Sequence, residues 1–440
     1  MPEIPAQAIL EQLPVTELEQ SLTTFLAPMM AVLPDRRLQA IVPLCVRGII
    51  GSESPVVTQI AQQVAREESG VWAAAKRVYR FLGNPHFSTA QLTQGLYDCS
   101  VQSIRAAAPA YVVVALDPVN FEKPYTTELE GVSTVYKSTP PPLTGKGRLT
   151  RGYPALTATV VNTPVPATTY AHWFSYTAAD FISENWEFDQ AIATTDRLLP
   201  EFRRRYVGDA GLDDQKLFAA LSQDEFVIRV SHLERWVEVY NERLDRWERE
   251  QLQDLVATVP FTHTFSVTFT HARKKRRTRV KVGWLTLRLP DTHQRLWTVV
   301  IYDPPLDRTL VLLTNVPLFT IADVRQVYDD WRLRPRVEHG YRFDQEQGLD
   351  VEDMRVQSLE AMQRLFVLVL AAAQFVFFLI NTWPQQAVLW VRSLGGKLGL
   401  ANDLDGPYLV LRGLSALIQA LVTLSFLSIS PFPHQDFTYG

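Results

Sequence analysis

YVVVALD, residues 111–117, is an unbroken apolar run closed by an acid. Alternating polar and apolar residues mark a strand with one wet face, whereas a continuous apolar run marks a strand buried on both. Downstream, KSTPPPLTGKGRLTRGY (137–153) reads as a Pro/Gly/basic loop. YPALTATVVNT (153–163) and ATTYAHWFSY (167–176) read as two strands around the turn TPVP. ENWEFDQAIATTDRLLPEFRRR (184–205) has a helical pattern, YVGD (206–209) is a short strand, DDQKLFAALS (213–222) a helix and EFVIRV (225–230) another strand. The order is three strands, helix, strand, helix, strand. It implies an α/β fold, a mixed sheet flanked by helices.

Residues 1–108, ahead of this core, read as helical. Within SPVVTQIAQQVAREESGVWAAAKRVYRFLGNP (54–85), Val57, Ile60, Ala61 and Val64 fall at helical spacing, a Glu-Ser-Gly break follows, and a second helix carries Lys76, Arg77 and Arg80. A helix–turn–helix with a basic second helix is one way to enter a major groove. A plain helical hairpin with a solvated basic face gives the same pattern. Behind the core, 232–319 is rich in threonine, valine and aromatics and reads as an antiparallel β region, with FTHTFSVTFTHARKKRRTRVKVGWLTLRLP (261–290), RLWTVVIYD (295–303) and TLVLLTN (309–315). From 321 the chain is helical almost to its end, with breaks near 381–385 and 401–407.

The 440 residues have 47% hydrophobic and 11% aromatic content, ample for a buried core, and a net charge of -4 that advertises no polyanionic partner. Only local basic patches could do that. Two cysteines, Cys45 and Cys99, exclude a disulfide framework or a cysteine zinc site. The N-terminus has no basic segment followed by an apolar one, so no signal peptide is expected. Two apolar runs of 16 residues, 365–380 and 414–429, fall short of the ~20 residues a bilayer usually demands. Buried core helices are the expectation for both.

Asp117 and Asp209 each close a strand of the core, where a side chain stands at the sheet rim. Pro335 suits the first turn of a helix that would carry Glu338. Hard divalent cations take oxygen ligands, and two of them ~4 Å apart can serve the attacking and leaving oxygens of a phosphodiester. Each acid alone also fits a turn or cap, and Asp213 and Asp214 read as the cap of the helix that follows them.

Taken together, the three acids resemble a DDE transposase of the insertion-sequence-four type, a family with an RNase H-like core interrupted by a β-strand insertion. The first carboxylate matches in ALDPVNF at Asp117 and the second in VGDAGLDDQKLF at Asp209. The family's Tyr-x2-Arg-x3-Glu-x6-Lys pattern is met by Trp331, Arg334, Glu338 and Gln345, followed by GLDVEDMRVQSLEAM (348–362). Tryptophan replaces tyrosine at 331, proline the usual tryptophan at 335, and uncharged Gln345 the lysine that contacts DNA phosphate. At 100° per residue, Arg334, Glu338 and Gln345 lie within about 40° on one helix face. The resemblance spans roughly 35–400.

It implies a helical DNA-binding region at 1–108, an RNase H-like core at 109–231 and 320–400, the β insertion at 232–319, and a helical region at 401–440. Asp117, Asp209 and Glu338 would hold two Mg²⁺ or Mn²⁺ ions. Trp331, Arg334, Arg342 and Gln345 would meet DNA. So would a basic hairpin bearing Arg273, Lys274, Lys275, Arg276 and Arg277 with Trp284 beyond it, which could equally be a solvated turn. The implied activity is metal-dependent cleavage at element ends and strand transfer of the 3′-hydroxyl into target DNA. Its partners would be double-stranded DNA, as terminal inverted repeats and target, and a second protomer on that DNA, in a prokaryotic cytoplasm at the nucleoid and away from membranes. The alternative is a transposase-derived DNA-binding protein without transposition activity, which the loss of lysine at 345 favours.

Overall fold

The computed structural model describes residues 15–65, 70–124, 126, 128–137, 147–271, 274–337, 349, 351–396 and 407–429. The opening stretch becomes β1 (Val112–Glu122), and its burial shows why the run is unbroken. Val113 and Ala115 enter one hydrophobic core, while Val112, Val114 and Leu116 enter a second on the opposite face. Helices cover both sides, so every position of the strand must be apolar.

Around β1 stand β3 (Arg148–Val160) and β4 (Ala167–Trp173) on one side, β5 (Arg204–Gly208) and β6 (Glu225–Arg229) on the other. β1, β3 and β4 pair antiparallel, whereas β5 runs parallel to β1 and β6 parallel to β5. That order, β4-β3-β1-β5-β6, is the one expected of an RNase H-like core. A strand unforeseen in the sequence, β2 (Ser133–Lys137), pairs with the first half of β3, so residues 148–153 are strand rather than loop. The helix before β5, Glu184–Leu198, is shorter than its pattern implied. Pro200 cannot continue it, and Arg204 and Arg205 already belong to β5.

The segment 232–319 does not form a separate body. Its strands β7 (Trp236–Asn241), β8 (Arg246–Gln251), β9 (His263–His271), β10 (Lys274–Arg288), β11 (Arg295–Asp303) and β12 (Arg308–Thr314) extend the same sheet, because β12 pairs antiparallel with β6. One short helix, Leu252–Thr258, interrupts the β region.

Helices α1 (Val15–Ala31), α2 (Arg36–Ser52), α3 (Val57–Val64), α4 (Gly70–Leu82) and α5 (Thr89–Ala107) share one core with the long helix Leu359–Thr382, which all but α3 pack against. This helix is long and apolar enough to cross a membrane, yet it lies mostly buried within the protein. Its Arg364 is fully buried and donates to the carbonyls of Leu82 (2.8 Å), Asn84 (2.9 Å) and Phe87 (2.8 Å) just past α4. A positive charge there answers the open carbonyls of a helix C-terminus. The two last helices are Gln385–Gly395 and Tyr408–Ile429.

Candidate active site

β1 outruns its parallel neighbour. β5 pairs with it over Val112–Ala115, so at Asp117 the strand partner among the described residues is Thr157 of antiparallel β3. Asp117 is therefore not the end of a strand, as its sequence suggested, but a mid-strand residue at the level where β5 stops. At that level β5 ends in Gly208, and Asp209 caps the short turn Ala210–Leu212, its Oδ1 accepting from the Gly211 N–H at 3.0 Å. A Cβ at Gly208 would meet Leu212 Cδ1 at 2.5 Å, so a larger residue there would have to displace that buried side chain.

The third contribution comes from α6 (Ile321–Trp331) and the turn after it. The helix starts at a capping box between Thr320 and Asp323 and buries Val324, Val327 and Tyr328. Its last turn is fastened to β5 at two points. Trp331 Nε1 donates to the Gly208 carbonyl at 2.9 Å, and buried Asp330 pairs with buried Arg205 while accepting from Tyr111 Oη at 2.9 Å and Gln326 Nε2 at 3.0 Å. Burial works against the Arg205 charge, but Glu225 and Asp330 outweigh it and hold its pKa above the ordinary value.

Three residues on, Arg334 Nη1 lies 3.4 Å from Asp117 Oδ1 and 3.6 Å from Asp209 Oδ2. Two carboxylates, one on β1 and one just past the end of β5, thus converge on one cationic nitrogen, with Asp117 14% exposed and Asp209 42%. Residues 335–337 resume helix, and Val337 is buried. Glu338, Arg342 and Gln345 lie outside the described residues.

Among the described residues no group of three or more His, Cys, Asp or Glu could hold a metal ion. The donor set present still suits a hard divalent cation. Two carboxylates already share one positive partner, and Mg²⁺ is usually held by one or two carboxylates together with waters and substrate phosphates.

The other sequence candidates are spread more widely. Lys76, Arg77 and Arg80 are exposed on α4 beside Trp72, which is 62% exposed with Lys76 Nζ 5.6 Å from its ring. Arg276 and Arg277 are exposed on β10; Lys274 and Lys275 open that strand, and Arg273 lies outside the described residues. Trp284 is half-buried against the core, its ring centroid 5.1 Å from that of His263. Asp214 caps the helix Gln215–Ala220 as expected, but Asp213 is buried, accepting from Ser231 N and His232 N at 2.8 Å and pairing with Arg235 at 2.6 Å. A cleft of about 520 Å³ lined by Asp214, Lys216, His232, Trp236 and Arg249 includes neither Asp117 nor Asp209.

The resemblance would have the arginines around Glu338 meet DNA phosphates. Arg332 instead donates to the Thr268 carbonyl of β9, and Arg336 to the carbonyls of Val161 and Pro164. Arg325 also reaches β9, at the Ser266 carbonyl (2.9 Å), so the basic hairpin lies against the helix that leads to Arg334. No local pattern announces these bonds, since their acceptors are backbone groups 59–175 residues away.

No protein-family model matches the chain, and no curated protein does. Among solved structures, a piggyBac transposase synaptic complex with hairpin DNA is a distant likeness, 9% identical with a TM-score of 0.41. The aligned region covers 83% of this chain and 60% of that one, so the chain spans about three-fifths of its length.

Proposed function

We propose that the chain is a DDE-type transposase of the insertion-sequence-four type, which cuts DNA at the ends of its own element and joins the freed 3′-hydroxyl to target DNA. The observation that carries this reading is the convergence of Asp117 and Asp209 on one guanidinium nitrogen, at the rim of a sheet in the RNase H-like strand order. The sequence pattern adds Glu338, four residues past Arg334.

Bound there, two Mg²⁺ or Mn²⁺ ions would activate the attacking oxygen and offset charge on the leaving one. Asp117, from β1, and Asp209, from the turn that closes β5, would supply the oxygen donors, and Glu338 would complete the set. In cleavage, water attacks phosphorus, the P–O3′ bond breaks, and the 3′-oxygen leaves as a hydroxyl. In transfer, that hydroxyl attacks a target phosphodiester, forming a new P–O bond and releasing the target's own 3′-hydroxyl. The helical region 1–108, through Lys76, Arg77 and Arg80, and the basic hairpin of the insertion 232–319 engage the terminal repeats. The core comprises 109–231 and 320–400, with 401–440 a C-terminal helical region. Chemistry at two ends calls for a dimer on DNA, working at the prokaryotic nucleoid.

The test is strand cleavage on DNA carrying the element's ends, with Mg²⁺ or Mn²⁺, by the native protein and by Asp117→Ala, Asp209→Ala and Glu338→Ala. Cuts at the element boundary, lost in each variant while end binding persists, are expected. End binding by paired native protomers without any cut would replace this reading with a transposase-derived DNA-binding protein, Gln345 being the first residue to examine.

A further inference from the structure

Arg334 reaches both carboxylates that would hold a metal ion. Its Nη1 is 3.4 Å from Asp117 Oδ1 and 3.6 Å from Asp209 Oδ2, one nitrogen shared between two carboxylates. Two carboxylates facing one small space repel, and an opposite charge between them relieves that repulsion. A divalent ion bound at ~2.1 Å from the same oxygens would need the space the guanidinium now holds. The two cations would compete for it.

The main chain around Arg334 has little room to retreat. On one side Trp331 is tied to the Gly208 carbonyl and Asp330 to Arg205; on the other, Val337 is buried and Arg336 donates to Val161 and Pro164. With its neighbours so fixed, the side chain is the part that can move. An arginine has the length and rotamer freedom to swing clear.

We propose that Arg334 is the resident counter-cation of this site: it holds Asp117 and Asp209 together before a divalent ion arrives, and the ion displaces its guanidinium. The metal affinity of the free protein is then a net quantity, the intrinsic affinity of the carboxylates reduced by the cost of evicting Arg334. This rests on the reading that the two acids bind metal, and it goes beyond a DNA-contact role for Arg334, which predicts no change in metal binding without DNA.

The test is a Mn²⁺ titration of the full chain without DNA, followed by calorimetry and by the electron paramagnetic resonance of free Mn²⁺, for the native protein, Arg334→Gln, Arg334→Lys and Asp117→Ala/Asp209→Ala. Arg334→Gln is expected to bind about tenfold more tightly than the native protein, a difference of ~1.4 kcal/mol. Arg334→Lys, which restores a mobile positive charge, is expected to return affinity toward the native value. The double alanine variant is expected to lose the binding. Thermal melts supply a second readout: without metal Arg334→Gln melts below the native protein, and saturating Mn²⁺ closes the gap. Native binding with equal or weaker binding by a folded Arg334→Gln overturns the counter-cation role and leaves the metal-site reading standing. No Mn²⁺ binding by either protein overturns the metal site itself, and this proposal with it.

Discussion

Trp331→Phe removes one N–H and keeps a flat apolar ring. In the native fold the indole Nε1 donates to the carbonyl of Gly208 at 2.9 Å, and Gly208 is buried between β5 and the turn that Asp209 caps. Losing a hydrogen bond to a buried carbonyl costs about 1–2 kcal/mol. The smaller ring, half-buried against the core, forfeits on the order of 1 kcal/mol more. Gly208 is covalently joined to Asp209, so slack in that carbonyl passes directly to the carboxylate. A misplacement of ~1 Å at a reacting centre can lower a rate about a hundredfold. The expected phenotype is therefore a lower melting temperature, cleavage slowed by about ten- to a hundredfold, and unchanged affinity for element-end DNA. Thermal denaturation, a cleavage time course and a filter-binding isotherm on one preparation measure all three. The sequence pattern alone places Trp331 among the DNA contacts, and that role predicts the reverse: weaker DNA binding with an unchanged melt. Such a result would refute the anchoring role.

Three further outcomes are expected. Arg364→Met should lower stability by about 3 kcal/mol, because the Leu82, Asn84 and Phe87 carbonyls all lose a charged donor; a thermal melt no different from native would contradict this. Arg276→Ala/Arg277→Ala, both exposed on β10, should weaken binding to DNA of any sequence and flatten the dependence of log K on log salt by about 2; an unchanged slope would remove the hairpin from the DNA track. Burial pushes the thiols of Cys45 and Cys99 up to about 12, so neither should react with a thiol reagent at pH 8 until the protein unfolds. Because those folded pKa values lie above the unfolded value of ~8.5, the unfolded chain alone ionises as pH rises past it. The two thiols' contribution to stability, complete below pH ~8.5, should fade between there and about 12.

How far the fold could be read from the sequence depended on the range of the interactions. β1 was legible because burial on both faces leaves a continuous apolar run, a local signal. The strand order around it followed from turn and helix signals between runs. β2 was hidden because Ser133–Lys137 gains its strand character from pairing with β3, leaving Tyr136 and Leu149 exposed at that margin. Asp117 and Asp209 were legible as acids following apolar runs. Arg334 as their shared partner was not, because the bonds that aim it, Trp331 to Gly208 and Asp330 to Arg205, cross more than 120 residues. Arg332 and Arg336 misled for the same reason: a cation reads as solvent-facing until its carbonyl partner is known.

The site's placement rests on β1 more than on any bond at the rim. Val113 and Ala115 face the core that also takes Val324, Val327 and Tyr328 of α6, and Asp117 continues that parity. The even-numbered residues face the opposite core, with Tyr97 of α5 and with Ala191 and Ile192 of the helix before β5. A one-residue slip of β1 would therefore carry Asp117 through the sheet, away from Arg334. Beyond the ladder with β3 and β5, one local bond opposing the slip sits at the strand's other end, where the Asn162 side chain accepts from Val113 N at 2.9 Å and donates to the Tyr111 carbonyl at 2.8 Å. A chain register fixed beside Val113 thus decides which face of the sheet carries the carboxylate, and the two fastenings of α6 to β5 decide which cation meets it there.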